Sequence, residues 1–363
     1  MMRTLLLIIL LLSSMSMLAG DSLRVETSRR SWLGRVIDSF SEVDTSYVEP
    51  QHYNWSLMVQ GAYDYEFYRL RTSNENQQQS VTFSPKPIIK IGPYFGWRWI
   101  FLGYNFDLRN LSFSGGKFLS EIDGSIYSSR FGIDFYYRRT SDDYNIRHVN
   151  LGPNVDTRLL EGQPFSGMTV GITGIDFYYI FNHKRFSYPA AFAQSTCQKI
   201  SCGSWMAGVG YLNNTIDFDH QRLERQIEET YPNQDVKLDS GLMFNRVKYF
   251  DVDASVGYAY NWVFARNWLL TASLSMAVAY KKAIGETATE EEKGFNFNNF
   301  NIDGVGRFAL VWNNMRWYAG ANAIVRTYSY HTSRFATNNI LGNVYLFVGV
   351  NFGLRKEYRK NRR

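Results

Sequence analysis

The feature that most constrains this chain is a two-residue alternation of apolar and polar side chains. It is sustained over segments much longer than the five or six residues of an average globular strand. In a strand, successive side chains point to opposite faces, so sustained alternation means two faces meeting different surroundings. Between Asp251 and Phe264, one face carries Val252, Ala254, Val256, Tyr258, Tyr260, Trp262 and Phe264. The other carries Asp251, Asp253, Ser255, Gly257, Ala259 and Asn261. After Arg266–Asn267 the pattern restarts, with Trp268, Leu270, Ala272, Leu274, Met276, Val278 and Tyr280 alternating with Leu269, Thr271, Ser273, Ser275, Ala277, Ala279 and Lys281. The two segments read as one long hairpin. The same alternation marks Asn343 to Leu354, Ile100 to Leu108, Arg130 to Arg138 and Ser56 to Phe67.

Strand length separates the possible architectures. A soluble β-sandwich also alternates, but with short strands, whereas a tilted transmembrane strand needs about 9 to 11 residues. The polar faces carry mid-strand charges such as Asp253, Arg307 and Arg326, which a dry sandwich core would bury at high cost and a wet lumen would not. The apolar faces end in aromatics beside tight turns: Trp262, Phe264 and Trp268 at one, Trp312 and Trp317 at another. Amphipathic rings favour the membrane–water boundary, and such a girdle is a mark of outer-membrane barrels. In lipid an unpaired strand edge costs several kcal/mol per backbone group, so the sheet must close. The sequence therefore predicts an all-β, transmembrane, antiparallel up-and-down barrel.

Twelve strands are expected, at 55–70, 82–95, 97–109, 125–139, 143–151, 166–181, 204–218, 247–264, 268–281, 301–313, 316–330 and 340–354. The fifth is the weakest pattern, and an even count favours including it. In the sixth the apolar set changes parity between Ile172 and Ile175, which suggests a bulge near Thr173–Gly174. Tight turns at Gly96, Arg266–Asn267 and Asn313–Asn314 would face the periplasm. The longer connections 71–81, 110–124, 152–165, 219–246, 282–300 and 331–339 would face outward as solvated loops. Leu223, Ile227 and Tyr231 suggest a short helix in one of them. The segment 182–203 is long yet falls on the periplasmic side, so it either fills the lumen as a plug or forms an extra hairpin.

Composition agrees with this reading. Aromatics are 17% of the 363 residues, which excludes a disordered or collagen-like chain. Mean hydropathy is −0.29, and beyond the N-terminus no apolar run reaches the roughly 18 residues of a membrane helix, which excludes a polytopic helical protein. Arg3, the apolar run Leu5–Leu12 and the small pair Ala19–Gly20 read as a cleaved signal peptide over 1–20. Residues 21–54 form a periplasmic lead-in, in which Trp32, Val36, Ile37 and Phe40 have helical spacing. The barrel spans 55–354. Residues 355–363 are a basic tail that carries much of the net charge of +6. The expected address is the outer membrane of a Gram-negative bacterium.

Few residues carry recognisable chemistry. No phosphate-binding, zinc-protease or nucleophile-elbow motif is present, and no cofactor or metal is expected. Cys197 and Cys202 form a possible disulfide in an exported chain. His331 and Ser333 lie two apart at the end of the eleventh strand, and Asn343 or Asn339 belongs to the next. A Ser–His–Asn set of this kind resembles the arrangement of outer-membrane phospholipases and gives the enzymatic alternative, a lipid hydrolase. The local residues lack the Asn-Gly that follows the serine in those enzymes. The leading candidates are the charges on lumen-facing parity: Asp64, Glu66, Asp107, Arg130 and Asp134, then Arg138, Asp251, Asp253, Arg307 and Arg326. They either fill a narrow barrel with ion pairs or line a selective pore or cavity. The partners expected are outer-membrane lipid and a small solute, with no nucleic acid; a protein partner is not readable.

Two stretches carry a family resemblance. Asp44-Thr-Ser-Tyr-Val precedes the first strand, and Phe181-Asn-His-Lys-Arg-Phe-Ser-Tyr-Pro-Ala-Ala-Phe-Ala-Gln194 is followed by Gln198, Lys199 and Gly203-Ser204. Together they resemble the Bacteroidota domain of unknown function 4421, over roughly residues 43 to 354. Pro189 and Cys202 depart from its pattern, which has Arg and a small residue there. The resemblance implies an outer-membrane β-barrel and brings no substrate or catalytic residue. The function expected is thus a narrow channel, small-ligand transporter or structural envelope barrel, with a lipid hydrolase or a scaffold for an envelope partner as alternatives.

Overall fold

The computed structural model describes residues 42–72, 79–97, 100–103, 106–107, 121–141, 144–152, 155–232, 236–283, 300–331 and 335–359. The signal peptide and the helix expected near Trp32 lie outside the described residues, as do Ser333 and most of the 282–300 connection.

The wall is one antiparallel sheet. Its strands are β1 (Tyr53–Thr72), β2 (Ile88–Trp97), β3 (Ile100–Gly103), β4 (Glu121–Tyr127), β5 (Phe131–Ser141) and β6 (Met168–Ile180). They continue as β7 (Cys202–Phe218), β8 (Arg246–Ala265), β9 (Trp268–Ala283), β10 (Phe300–Asn313), β11 (Trp317–His331) and β12 (Phe335–Leu354). Each pairs with the next, and β12 pairs with β1 from Leu354↔Tyr53 to Phe335↔Thr72, so that among the described residues the pairings run from β1 round to β1 again. The thinnest seam is β3 against β4, where Ile100, Phe101 and Leu102 oppose Ile126, Ser125 and Gly124.

Residue parity sets the two faces. In β1, Ser56, Met58, Gln60, Ala62, Asp64 and Glu66 are buried, while Trp55, Leu57, Val59, Tyr63 and Phe67 are exposed. In β8 and β9, Val252, Val256, Leu274, Met276 and Val278 are each at least half exposed although wholly apolar. No soluble wall presents such a row to water, and hydrocarbon is the solvent that matches it. Trp55, Trp205, Trp262, Phe264, Trp268 and Trp317 lie on this outer face towards the tight-turn end, and Trp268 is paired across the hairpin with the half-buried Trp312. Four of the five residues named from sequence for a girdle are among these exposed rings, and Trp55 and Trp205 extend the band.

The strand limits differ from expectation on one side of the barrel. The segment read as 125–139 is two wall strands, β4 and β5, joined by a turn in which Ser128 Oγ accepts from the amides of Arg130 and Phe131. The segment read as a fifth wall strand, Tyr144–Asn150, is not in the wall, because β5 pairs directly with β6. It pairs instead with Ser80–Pro85, which continues the line of β2 towards the outer end. Pro85 and Pro87 interrupt that line, since proline has no amide to give the ladder. Beyond them the sheet peels off as a flap of Ser80–Pro85, Tyr144–Asn150 and Pro164–Phe165.

The bulge expected at Thr173–Gly174 is absent. β6 keeps an unbroken register with β5 and β7 through Ile172, Thr173, Gly174 and Ile175. The apolar set changes parity because the filling of the barrel changes. Met168, Val170 and Ile172 point inward into an apolar core at the outer end, and lower down Ile175, Phe177 and Tyr179 point outward to lipid.

Candidate functional site

The lumen holds three layers: an apolar cap at the outer end, a charged belt, and a plug at the periplasmic end. Sides are assigned by the short turns, which outer-membrane barrels place in the periplasm.

The cap is built from the flap, the upper inner wall and the helix His220–Thr230. Asp219 caps that helix by accepting from the Arg222 amide, and Leu223 and Ile227 form its buried stripe. Phe83, Phe165, Phe218, Leu223, Ile227 and Phe244 belong to one core with Val170, Ile172 and Leu212 of the wall. The connection 219–246, expected as a solvated loop with a helix, thus folds back over the barrel mouth; the helix is present, but its apolar face is spent on the cap.

The belt is where the sequence-predicted charges meet. Lys90 Nζ is 2.5 Å from Asp64, and Arg138 Nη1 is 2.7 Å from Glu66, which also accepts from the Tyr68 hydroxyl. Arg307 Nη2 lies 2.7 Å from Asp134 Oδ2, while Asp134 Oδ1 accepts from Ser125 and Tyr127. Lys281 donates to both oxygens of Asp303, at 2.6 and 2.8 Å, and lies 3.2 Å from Asp251. Asp253 shares a chamber of about 60 Å³ with Asp176, Arg307 and Tyr328. Arg326 stacks its guanidinium 4.9 Å from the centre of the Tyr136 ring. Eight of the ten predicted charges therefore face the lumen. Arg130 does not: it sits at the β4–β5 turn, 3.3 Å from Glu42, because the strand begins only at Phe131. The Asp107 side chain lies outside the described residues.

Sequence reasoning missed Lys90, Asp176, Lys281 and Asp303, although Lys281 was on the face already read as polar. It also missed the tyrosines. Tyr136 is registered opposite Gly174 and Tyr178 opposite Gly132, and each ring occupies the space where the glycine's Cβ would stand. The bare glycine lets the ring lie along the inner wall, so the Tyr136 hydroxyl reaches that of Tyr328 at 2.8 Å across the lumen. Periodic Gly opposite Tyr was the available signal.

The segment 182–203 is a plug. Ser187, Tyr188, Ala190, Ala191, Ala193 and Gln194 are buried within the barrel, and Pro189 opens the one-turn helix Pro189–Phe192. Tyr188 reaches Arg307 of β10 at 3.3 Å and stacks against Tyr178 of β6 and Tyr127 of β4. Ala190 and Ala191 pack with Met58 of β1, Leu269 of β9 and Tyr318 of β11. Asn261 of β8, itself fixed by Thr271, donates to Ser187 O at 2.8 Å and Gln198 Oε1 at 3.0 Å. From below, Val48–Pro50 pairs with Thr196–Gln198, and Asp44 N donates to Lys184 O. The lead-in, expected as a separate segment, is at residues 42–52 the lower half of the plug. The two stretches that carried the family resemblance are contact partners.

The disulfide is not formed; both cysteines are free thiols. Cys197 belongs to the plug strand and faces Asn313 O, whereas Cys202 opens wall strand β7 beside Asn182. Burial pushes the Cys197 thiol up to about 12. The described members of the hydrolase set, His331 and Asn343, are not brought together. Asn343 is buried and hydrogen-bonded to Asp64, and its register partner on β11 is Ile324. His331, paired with Ala336, is exposed at the far end of the strand, on the opposite parity. Among the described residues, no cluster of His, Cys, Asp and Glu fits a metal ion.

The family model described as "Domain of unknown function (DUF4421)" matches residues 42–352. No curated protein matches the chain. Among solved structures it is similar to the outer membrane protease OmpT from Escherichia coli, at 7% identity and TM-score 0.34, over 82% of this chain and 97% of that one. It is also similar to a bacterial polysaccharide outer membrane secretin, at 11% identity and TM-score 0.32, over 83% and 99%. A third is the Pseudomonas putida toluene transporter TodX, at 9% identity and TM-score 0.25, over 82% and 90%. Likeness at this level carries no argument about activity.

Proposed function

We propose, for a chain that belongs to the DUF4421 family, that it is an outer-membrane barrel closed at both ends, a structural envelope barrel rather than an open channel. The observation that carries this reading is the pair of independent seals: residues 186–198 within the periplasmic half of the lumen and the apolar cap over the outer mouth. Passage of a solute would require both to move. Among the described residues the ion-paired belt borders chambers of about 60 and 110 Å³, and a space of about 380 Å³ lies beside the plug, lined by Ala190, Cys197, Leu269 and Val311. The exposed His331 lies on the outward parity of its strand while Asn339 and Asn343 are buried on the inward one, which argues against the hydrolase alternative.

The test is conductance in planar bilayers. The intact chain passes no steady ionic current. Deletion of residues 188–195 alone leaves it silent, because the cap remains; deletion of 188–195 together with 219–244 produces ohmic current. Steady current from the intact chain would overturn the reading.

A further inference from the structure

Four of the five described lumen cations are matched by a carboxylate: Lys90 by Asp64, Arg138 by Glu66, Lys281 by Asp303 and Arg307 by Asp134. Arg326 is the exception. Among the described residues no carboxylate approaches its guanidinium within ion-pair distance, and its Nε is buried without a hydrogen-bond partner. The guanidinium lies over the Tyr136 ring, and Asp176 and Asp134 attract its charge from beyond hydrogen-bond reach. A buried guanidinium with countercharges nearby but, among the described residues, no hydrogen-bond acceptor still carries a desolvation cost, so its unused donors are a feature to be accounted for.

They face a chamber. A cavity of about 110 Å³ lies between the plug and the inner wall. Arg326 and Asn322 line it from β11, Gln60 from β1, and Phe192 and Gln194 form its floor from the plug. Asn322 is unsatisfied as well, with Oδ1 buried and unpartnered. Asp134 also borders the chamber, but both of its oxygens are committed, one to Arg307 and the other to Ser125 and Tyr127. The uncommitted carboxylates Asp176 and Asp253 line the neighbouring chamber instead. What remains free here is a planar, charged donor fork with amides beside it, and at roughly 10–15 Å³ per water the volume admits about seven to eleven water-sized groups.

We propose that this chamber is a binding site for a small carboxylate anion, gripped in bidentate fashion by Arg326 and flanked by the NH2 groups of Asn322 and Gln60, Asn322 turning its amide so that Nδ2 rather than Oδ1 faces the anion. The guanidinium fork matches a carboxylate's two oxygens, and the apolar floor at Phe192 and Met58 suits a short alkyl tail. Bound there, the anion lies between wall and plug and ties them together. The proposal rests on the plugged-barrel reading in this one respect, that the plug supplies the floor.

The experiment uses the full chain refolded in detergent and left overnight with probe. Isothermal titration with propionate is compared with propionamide, its uncharged counterpart of like shape. Propionate should bind saturably, one per chain, and propionamide at least about tenfold more weakly. Arg326→Met should weaken propionate on the order of tenfold to a hundredfold, the range of a charge-assisted hydrogen bond. Arg326→Lys keeps the charge but loses the fork and should also bind more weakly; it serves if the methionine variant fails to give the heat-modifiable band of a folded barrel. Asn322→Ser should cost a smaller factor. Equal binding of the two probes, no saturable binding by the intact chain, or propionate binding unchanged in both Arg326 variants would each overturn the site. Conductance of the same preparation separates the two ideas: a silent barrel that binds no propionate loses this site alone, whereas steady current sinks the plugged reading.

Discussion

At the outer end Phe218 lies with its ring centre 5.7 Å from Phe83, 5.9 Å from Phe165 and 5.3 Å from Phe244. At the periplasmic end Gln198 ties five groups together: its Oε1 accepts from Ser187 N and Asn261, and the two hydrogens of its Nε2 are shared among the carbonyls of Tyr47, Arg185 and Ile200. One seal is made of ring packing, whose strength follows buried apolar area and has no preferred direction. The other adds to its own, smaller apolar packing a set of directional bonds that a competing polar group or water can replace one at a time. The cap is thus the seal that resists change as a block, and the plug the seal that can let go in steps.

Substitutions can break that contrast. The largest effect is expected from Phe218→Ala, which opens a cavity where three rings meet; a loss of about 3–5 kcal/mol is expected from denaturant unfolding in detergent. An equal loss from the plug side would remove the distinction. Next comes Asn261→Ala, which strips Ser187 O and Gln198 Oε1 of a donor and leaves Thr271 without its acceptor, at about 1–3 kcal/mol in the same assay. Its sharper signature is local. Cys197, whose thiol is held protonated by burial, should alkylate slowly at pH 8 in the intact chain, since the thiolate is the nucleophile. Asn261→Ala should accelerate that reaction by at least about tenfold while protease resistance of the cap stays unchanged. The smallest effect belongs to Lys199→Ala: its bridge to Glu49 at 3.4 Å is solvent-exposed and should contribute under about 0.5 kcal/mol.

The wall was legible in the sequence because lipid and lumen are different solvents, and parity records the difference strand by strand. Asp64, Glu66, Asp134, Arg138, Asp251, Asp253, Arg307 and Arg326 fell on the right face for that reason. The reading failed where the interior was not wet. Val170 and Ile172 point into the cap, so apolar residues on inner parity looked like a slip of register. Tyr144–Asn150 alternates like a wall strand, because a flap with one face on a core obeys the same rule as a wall with one face on lipid. Which charge meets which could not be read, since the partners sit on strands far apart in the chain: Arg307 and Asp134 meet only when β5 and β10 face each other across the lumen. The plug was foreseen as one of two options, from its length on the side where turns are short.

The plug is an insertion between β6 and β7, in the middle of the chain, while the seam between β1 and β12 joins the opposite ends of the polypeptide. Order of assembly follows from that placement. Threading a stopper with tyrosines anchored to several staves through a finished hoop would mean unzipping backbone ladders, so the staves must gather around it and the hoop must be fastened last. A newly exported chain therefore carries its own mandrel, and a stopper that is present but misplaced would hold the last fastening apart, whereas a chain from which it is cut away has nothing to obstruct the hoop.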